Sequence, residues 1–142
     1  MSVSPRVCSA ARALEVVGDR WSLLVLREVF LGTHRFEAMQ ANTGAPRDIL
    51  AARLKKLVAH GVLEKRPYQE RPPRFEYHAT EAGRDLAPVV TALRQWGDRY
   101  LRTDDGPQPS HFQHVCGSEA PAGFVCPNCG EGVVLGSMTR VS

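Results

Sequence analysis

The stretch Gly44-Ala-Pro-Arg-Asp-Ile-Leu-Ala-Ala-Arg-Leu-Lys-Lys-Leu-Val-Ala-His-Gly-Val62 decides how the rest of the chain is read. Pro46 suits the first turn of a helix, because its φ is already helical and its missing N–H is one no helix would use there. Gly61 suits the far end, where a left-handed cap is needed, and Val62 can then fold back onto Leu57. Between them Leu50, Leu54, Leu57 and Val58 share one side of a 3.6-residue spiral, while Asp48, Ala52, Lys55 and Ala59 fall opposite. The outward face is polar and partly small, so its backbone can approach another surface closely. It reads as an amphipathic helix made for insertion.

Working outward, the chain has 142 residues, 43% apolar and 23% charged, which is the composition of one globular domain with room for an appendage. No apolar run reaches the ~20 residues of a membrane span, and Met-Ser-Val-Ser-Pro-Arg lacks the apolar core of a secretory signal. A cytoplasmic protein is expected. The net charge is +3, but it is unevenly placed. Arg35 to Thr80 holds nine Lys/Arg against five Asp/Glu, and the remainder nine against ten. A basic excess on one segment is what a phosphate-binding surface needs, although charge alone also fits a solvated face.

On the N-terminal side, Cys8, Ala11, Leu14 and Val17 form a helical stripe that Ala10, Ala13 and Val16 widen, ended by Gly18. Asp19 or Arg20 leads into Trp21 to Leu31, apolar almost all round, a central helix stopped by Gly32. Thr33 to Asn42 reads as a further short helix with Phe36 and Met39 inward. With Thr43-Gly44 as the turn, it and the Pro46 helix make a helix-turn-helix.

On the C-terminal side the period changes to about two. Val62 to Tyr68 and Arg74 to Ala79 read as a hairpin whose tip is stiffened by Pro72 and Pro73, with Phe75, Tyr77 and Ala79 on one side. Arg71 and Arg74 beside that tip would suit a phosphate or minor-groove probe. Thr80 caps a last helix from Glu81 to about Leu101, kinked near Arg84 by Pro88. Its stripe of Leu86, Val89, Val90, Leu93, Trp96 and Tyr100 leaves more apolar surface than the domain can cover. A dimer through the first and last helices explains the excess, unless the C-terminal tail covers it.

These segments resemble the HxlR-type winged helix-turn-helix regulators. The likeness runs from Cys8 to about Leu101. It includes Gly18-Asp-Arg-Trp-Ser-Leu-Leu-Val-Leu-Arg-Glu28, Arg35-Phe36, Gly44 to Leu57, Gly61-Val-Leu63, Pro72-Pro-Arg-Phe-Glu-Tyr77, Thr80-Glu-Ala-Gly-Arg84 and Leu86 to Gly97. It implies a mostly α fold with a small β-hairpin wing (α+β), spanning 8–102, and a homodimeric regulator binding an inverted-repeat operator in double-stranded DNA. Repression or autoregulation, in answer to an unspecified small-molecule or redox effector, is the expected action. The Pro46 helix would enter the major groove. Arg47 is then the candidate for base contact, Asp48 a partner for cytosine or for Arg47, and Ala52 the point of close approach. Lys55 and Lys56 would hold phosphates, Arg53 a phosphate or a carboxylate of the domain, and Arg66, Arg71 and Arg74 would serve the wing. Many members carry a Ser cap followed by a basic residue where this chain has Pro46 and Asp48, so the base preference does not carry over. Some members sense oxidants through a leading cysteine, the place of Cys8. A thiol at the head of a helix, near Arg6 and Arg12, has an electrostatic reason to be reactive, whereas a small buried interface residue is the plainer alternative.

After Arg102 the composition becomes that of a linker, 103–110, followed by a Cys/His extension, 111–142. Cys126-Pro-Asn-Cys129-Gly130 has the spacing of a metal-knuckle turn. With His114 and Cys116, and His111 as a substitute, it would make a tetrahedral structural zinc site in a tail with few apolar residues. A thiol oxidoreductase using Cys126 and Cys129 is the rival class. It would need that motif at the start of a helix after a strand, and Gly130 to Gly136 is poor helix material. A non-regulatory architectural DNA binder is a third. Paired carboxylates, a nucleophile elbow and a phosphate-cradling glycine loop are all missing, so no enzyme is expected.

Overall fold

The computed structural model describes residues 5–101, 104–106 and 111–141. Part of the expected linker, and the residue at which the first domain was expected to end, lie outside these. The described residues form α1 (Ser9–Val17), α2 (Arg20–Phe30), α3 (Phe36–Thr43), α4 (Arg47–Ala59), β1 (Leu63–Gln69), β2 (Arg74–Ala79), α5 (Glu81–Arg84) and α6 (Ala87–Tyr100). They are a winged helix: a helical core with one antiparallel hairpin. Two compact units divide the chain, Met1–Val90 and Thr91–Ser142.

In the first unit α2 is the centre. Its Val25, Leu26 and Val29 are buried with Met39 of α3, with Leu50, Leu54 and Leu57 of α4, and with Val62 and Leu63 at the base of the hairpin. Asp19 starts α2 by accepting the Ser22 N–H at 3.0 Å and its hydroxyl at 2.6 Å. Burial pushes the Asp19 carboxyl up, but these bonds and the Arg53 guanidinium outweigh it and hold the group below its usual range. Glu28 is buried on the same helix. It survives there because Arg27 and Asn42 donate to its two oxygens at 2.9 and 2.8 Å.

The helix-turn-helix forms as its residues dictate. Gly44 closes α3 in the left-handed conformation, at φ 73°, donating its N–H to Gln40. Thr43 helps the turn, its hydroxyl donating to the Met39 carbonyl and accepting the Ala45 N–H. Pro46 is the residue before α4, and at the far end the Val62 N–H reaches the Leu57 carbonyl at 2.9 Å across Gly61. That bond is the expected fold-back.

Two expectations change. The short helix begins at Phe36 rather than Thr33, because Arg35 is extended and bridges Glu76 of β2, and the Tyr77 N–H donates to the His34 carbonyl. The single kinked helix after Thr80 is instead two helices, broken at Asp85–Leu86. Pro88 lies in the first turn of α6, where a proline is tolerated, so the chain restarts a helix there rather than bending one. Gly83 has a separate duty. A Cβ on it would stand 2.1 Å from the Val62 carbonyl oxygen, so α5 can press onto the foot of the hairpin only through a glycine.

Candidate nucleic-acid interface

Within the first unit, α4 presents its buried leucines to α2 and its other side to solvent. Asp48, Ala52, Lys55 and Ala59 are exposed and Lys56 is half-buried, as the helical period requires. Arg47, Asp48 and Lys55 line an open groove with Lys65 of β1, over Phe36 and Tyr77. Three cations against one carboxylate give the groove a positive lining suited to phosphate.

Arg47 is exposed but not loose. Its guanidinium pairs with Glu37 of α3 at 3.0 Å and stands 4.8 Å from the centre of the Phe36 ring. The head of α4 is thereby tied to α3. Arg53 turns the other way and donates to Asp19 at 2.9 Å, so it serves the domain.

The hairpin is fastened at its root. Leu63 pairs with Ala79, and the register runs to Pro67 with Phe75, with a bulge before Gln69. Tyr77 and Ala79 face the core, and burial raises the Tyr77 hydroxyl pKa. The expected in–out alternation is blurred, since Phe75 to Ala79 are all half-buried. The outer residues find partners on the chain before α3: His78 stacks on His34 with ring centres 3.9 Å apart, and Glu76 takes Arg35 at 3.1 Å. Hydrogen bonds from His78 and Arg35 hold the Glu76 carboxyl below its usual range. The wing therefore keeps a fixed place beside α3 and α4.

Of the expected wing arginines, Arg66 is paired along its own strand with Glu64. That pairing lowers the Glu64 carboxyl pKa. Arg71 lies in the turn at the tip and Arg74 opens β2, both exposed. Lys65 was missed by sequence reasoning. Its Nζ lies 4.2 Å from the centre of the Phe75 ring while it lines the groove, a placement only the β1–β2 register reveals.

Outside the groove, Cys8 caps α1: it is exposed, and its Sγ accepts the Ala11 N–H at 3.3 Å. Of the α1 stripe, Val17 is buried while Cys8, Ala11 and Leu14 are exposed. In the second unit Gln95 of α6 clasps Ala122, donating to its carbonyl at 2.9 Å and accepting its N–H at 2.7 Å. The tail still leaves Leu93, Trp96 and Tyr100 at 51%, 56% and 60% exposure, so it does not cover that face.

The expected zinc ligands fall into two turns of this unit, one holding His114 and Cys116, the other Cys126 and Cys129. Among the described residues no three His, Cys, Asp or Glu are gathered as a metal would hold them. Backbone N–H groups of Cys129 and Asn128, and the Cys129 side chain, lower the Cys126 thiol pKa. This pair lies at a turn between bridged Val125 and Gly132, not at the head of a helix as a thiol oxidoreductase would place it. Among the described residues no helix is long and apolar enough to cross a membrane.

A sequence profile of the HxlR-like helix-turn-helix matches residues 16–105. An uncharacterised HTH-type transcriptional regulator of Mycobacterium tuberculosis, Rv3095, is 45% identical over 131 residues, covering 92% of this chain and 83% of the relative. The crystal structure of PA1607, a candidate transcription factor, superposes with a TM-score of 0.79 at 37% identity, over 95% of this chain and 94% of that one. The redox regulator HypR in its oxidised form aligns at 26% identity with a TM-score of 0.61, over 68% of this chain and 100% of HypR.

Proposed function

Because the chain belongs to the HxlR-like helix-turn-helix family of transcriptional regulators, we propose that it acts as a homodimer on an inverted-repeat operator, as a repressor or autoregulator in the cytoplasm. The observation that carries this is the positive groove in which Arg47 and Lys55 of α4 converge with Lys65 of the tethered wing. Phosphates would be held by Lys55, Lys56, Lys65, Arg71 and Arg74, with Arg66 beside them. Arg47 would read a guanine edge, Asp48 a neighbouring cytosine, and Ala52 would let the helix settle. The exposed stripes of α1 and α6 are the surfaces offered to a second copy, and a dimer sets two recognition helices about 34–36 Å apart, one turn of the duplex.

Binding to upstream fragments and scrambled duplexes, measured by fluorescence anisotropy across salt concentrations, tests the reading. Arg47→Ala should lose affinity at one or two base positions, by about 1–3 kcal/mol per lost bidentate contact. Lys55→Ala should weaken every sequence alike and flatten the salt slope by about one unit. Equal losses from both variants on all sequences, or a wild type that grips scrambled DNA as tightly, would overturn it.

Cys8 supports a second reading, regulation by oxidants. HypR is described as a redox regulator, and here the Cys8 sulfur is exposed and builds the cap of α1. A peroxide would oxidise this thiol to a sulfenic acid and itself be reduced to water, altering the start of a helix offered for dimerisation. Peroxide should shift operator affinity in the wild type and leave Cys8→Ser unmoved; identical responses would remove Cys8 from regulation.

A further inference from the structure

The segment from His111 to Val141 keeps a definite backbone with almost no interior: among its described residues only Cys126 is even half-buried. Its order resides in two turns of similar build. In the first, the Gly117 N–H reaches the His114 carbonyl at 2.8 Å, the Cys116 N–H meets the His114 ring at 3.3 Å, and Gly117 turns back at φ 93°. In the second, the Gly130 N–H reaches the Cys126 carbonyl at 2.7 Å, and Gly130 turns back at φ 77°. Short rungs from Cys126 to Glu131 and from Val133 to Phe124, each 2.8 Å, flank that turn and make it a hairpin tip.

That arrangement suits a cation. Two sulfurs three residues apart on a tight turn can reach one ion. Soft sulfur with imidazole favours zinc and disfavours magnesium or calcium, which take oxygen. The other glycine-ended turn supplies a further thiol and an imidazole, Cys116 and His114. We propose that Cys126 and Cys129 are half of a tetrahedral site for a thiophilic divalent ion of the zinc class, completed by Cys116 and His114. Binding the ion would draw the two turns together and fix the extension, which has no interior of its own. Three thiols surrender their protons to solvent and the imidazole binds neutral, which makes loading weaken as pH falls.

The test uses the full chain, untagged and reduced. Zinc should copurify at one ion per chain and be released to a colorimetric chelator as the thiols are alkylated. Cys126→Ser and Cys129→Ser should abolish binding, and Cys116→Ser or His114→Ala should weaken it at least tenfold. His111→Ala should bind as the wild type does. Cobalt gives an independent readout: the thiolate-to-cobalt charge-transfer band should lose about a third of its intensity in Cys116→Ser. Circular dichroism and operator binding identify variants whose first unit remains folded. No zinc uptake by reduced protein, with a reversible Cys126–Cys129 disulfide instead, would overturn the site. So would full affinity in both the Cys116 and His114 variants.

Discussion

The helix-turn-helix and the cysteine-bearing extension reach order by different routes. In the first, Leu50, Leu54 and Leu57 of α4 disappear against Val25, Leu26 and Met39, and the polar groups caught among them have partners. In the second, hydrogen bonds around two turns hold a chain whose large apolar residues, Val115 and Leu135 among them, face solvent. The lesson concerns independence. A surface set by a packed core takes its shape from that core, whereas a segment without a core can answer to an ion or a neighbour. Substitutions should therefore separate the two by size of effect.

The largest effect belongs to the core. Leu54→Ala should cost about 2–5 kcal/mol in thermal or urea unfolding, because it removes a side chain only 1% exposed and leaves a cavity between α4 and α2. Leu135→Ala, at a fully exposed position, should change nothing measurable. Similar losses from both would mean that the extension has an interior after all. Next comes Gly83→Ala. The added methyl must displace the Val62 carbonyl, and overpacking of this kind costs about 1–3 kcal/mol. Unfolding by urea gives the number. Unchanged stability would show that α5 is free to lift from the hairpin.

The core was also the more legible half. Pro46 and Gly61 mark α4 within two residues of its observed ends, since each acts through its own backbone and needs no neighbour. Leucine spacing then gives its buried side. What distance in sequence conceals is who meets whom. Glu28 lies in a stretch that reads as apolar, and its burial depends on Asn42, fourteen residues on. Lys65 enters the groove only through the register of β1, and His78 finds His34 across forty-four positions. Pro88 was misread for a related reason. A proline bends a helix it interrupts but is tolerated in a first turn. The sequence does not show that α5 stops at Arg84, so that Pro88 falls in the first turn of α6.

A smaller effect should follow from Asp19→Ala, about 1 kcal/mol, from losing the cap of α2 and the partner of Arg53. Its pH dependence identifies the source. The native carboxyl titrates below the ordinary 3.8, so its ionised form is the one the fold favours. The stability it adds is complete above 3.8 and fades as pH falls through the lower native value. The gap between wild type and variant should therefore be flat near neutrality and narrow in acid. A gap that persists unchanged in acid would assign the loss to packing alone.

The smallest effect on stability, and the sharpest test of the recognition surface, lies at Glu37. Its bond to Arg47 joins side chains 72% and 66% exposed, and pairs so wet contribute at most about 1 kcal/mol. Glu37→Gln should leave the unfolding midpoint almost where it was. On DNA the same carboxylate has two opposed consequences: it holds Arg47 ready over the Phe36 ring, and it competes with the duplex for that guanidinium. The glutamine keeps the shape and a hydrogen-bond acceptor but discards the charge. Affinity for any duplex should then rise a few-fold at low salt and converge with the wild type as salt screens the surface, while Arg47→Ala in the same background removes base preference. If Glu37→Gln instead weakens the operator and leaves scrambled DNA unaffected, holding Arg47 in place outweighs the competition, and bracing by α3 is what makes α4 a reader of sequence.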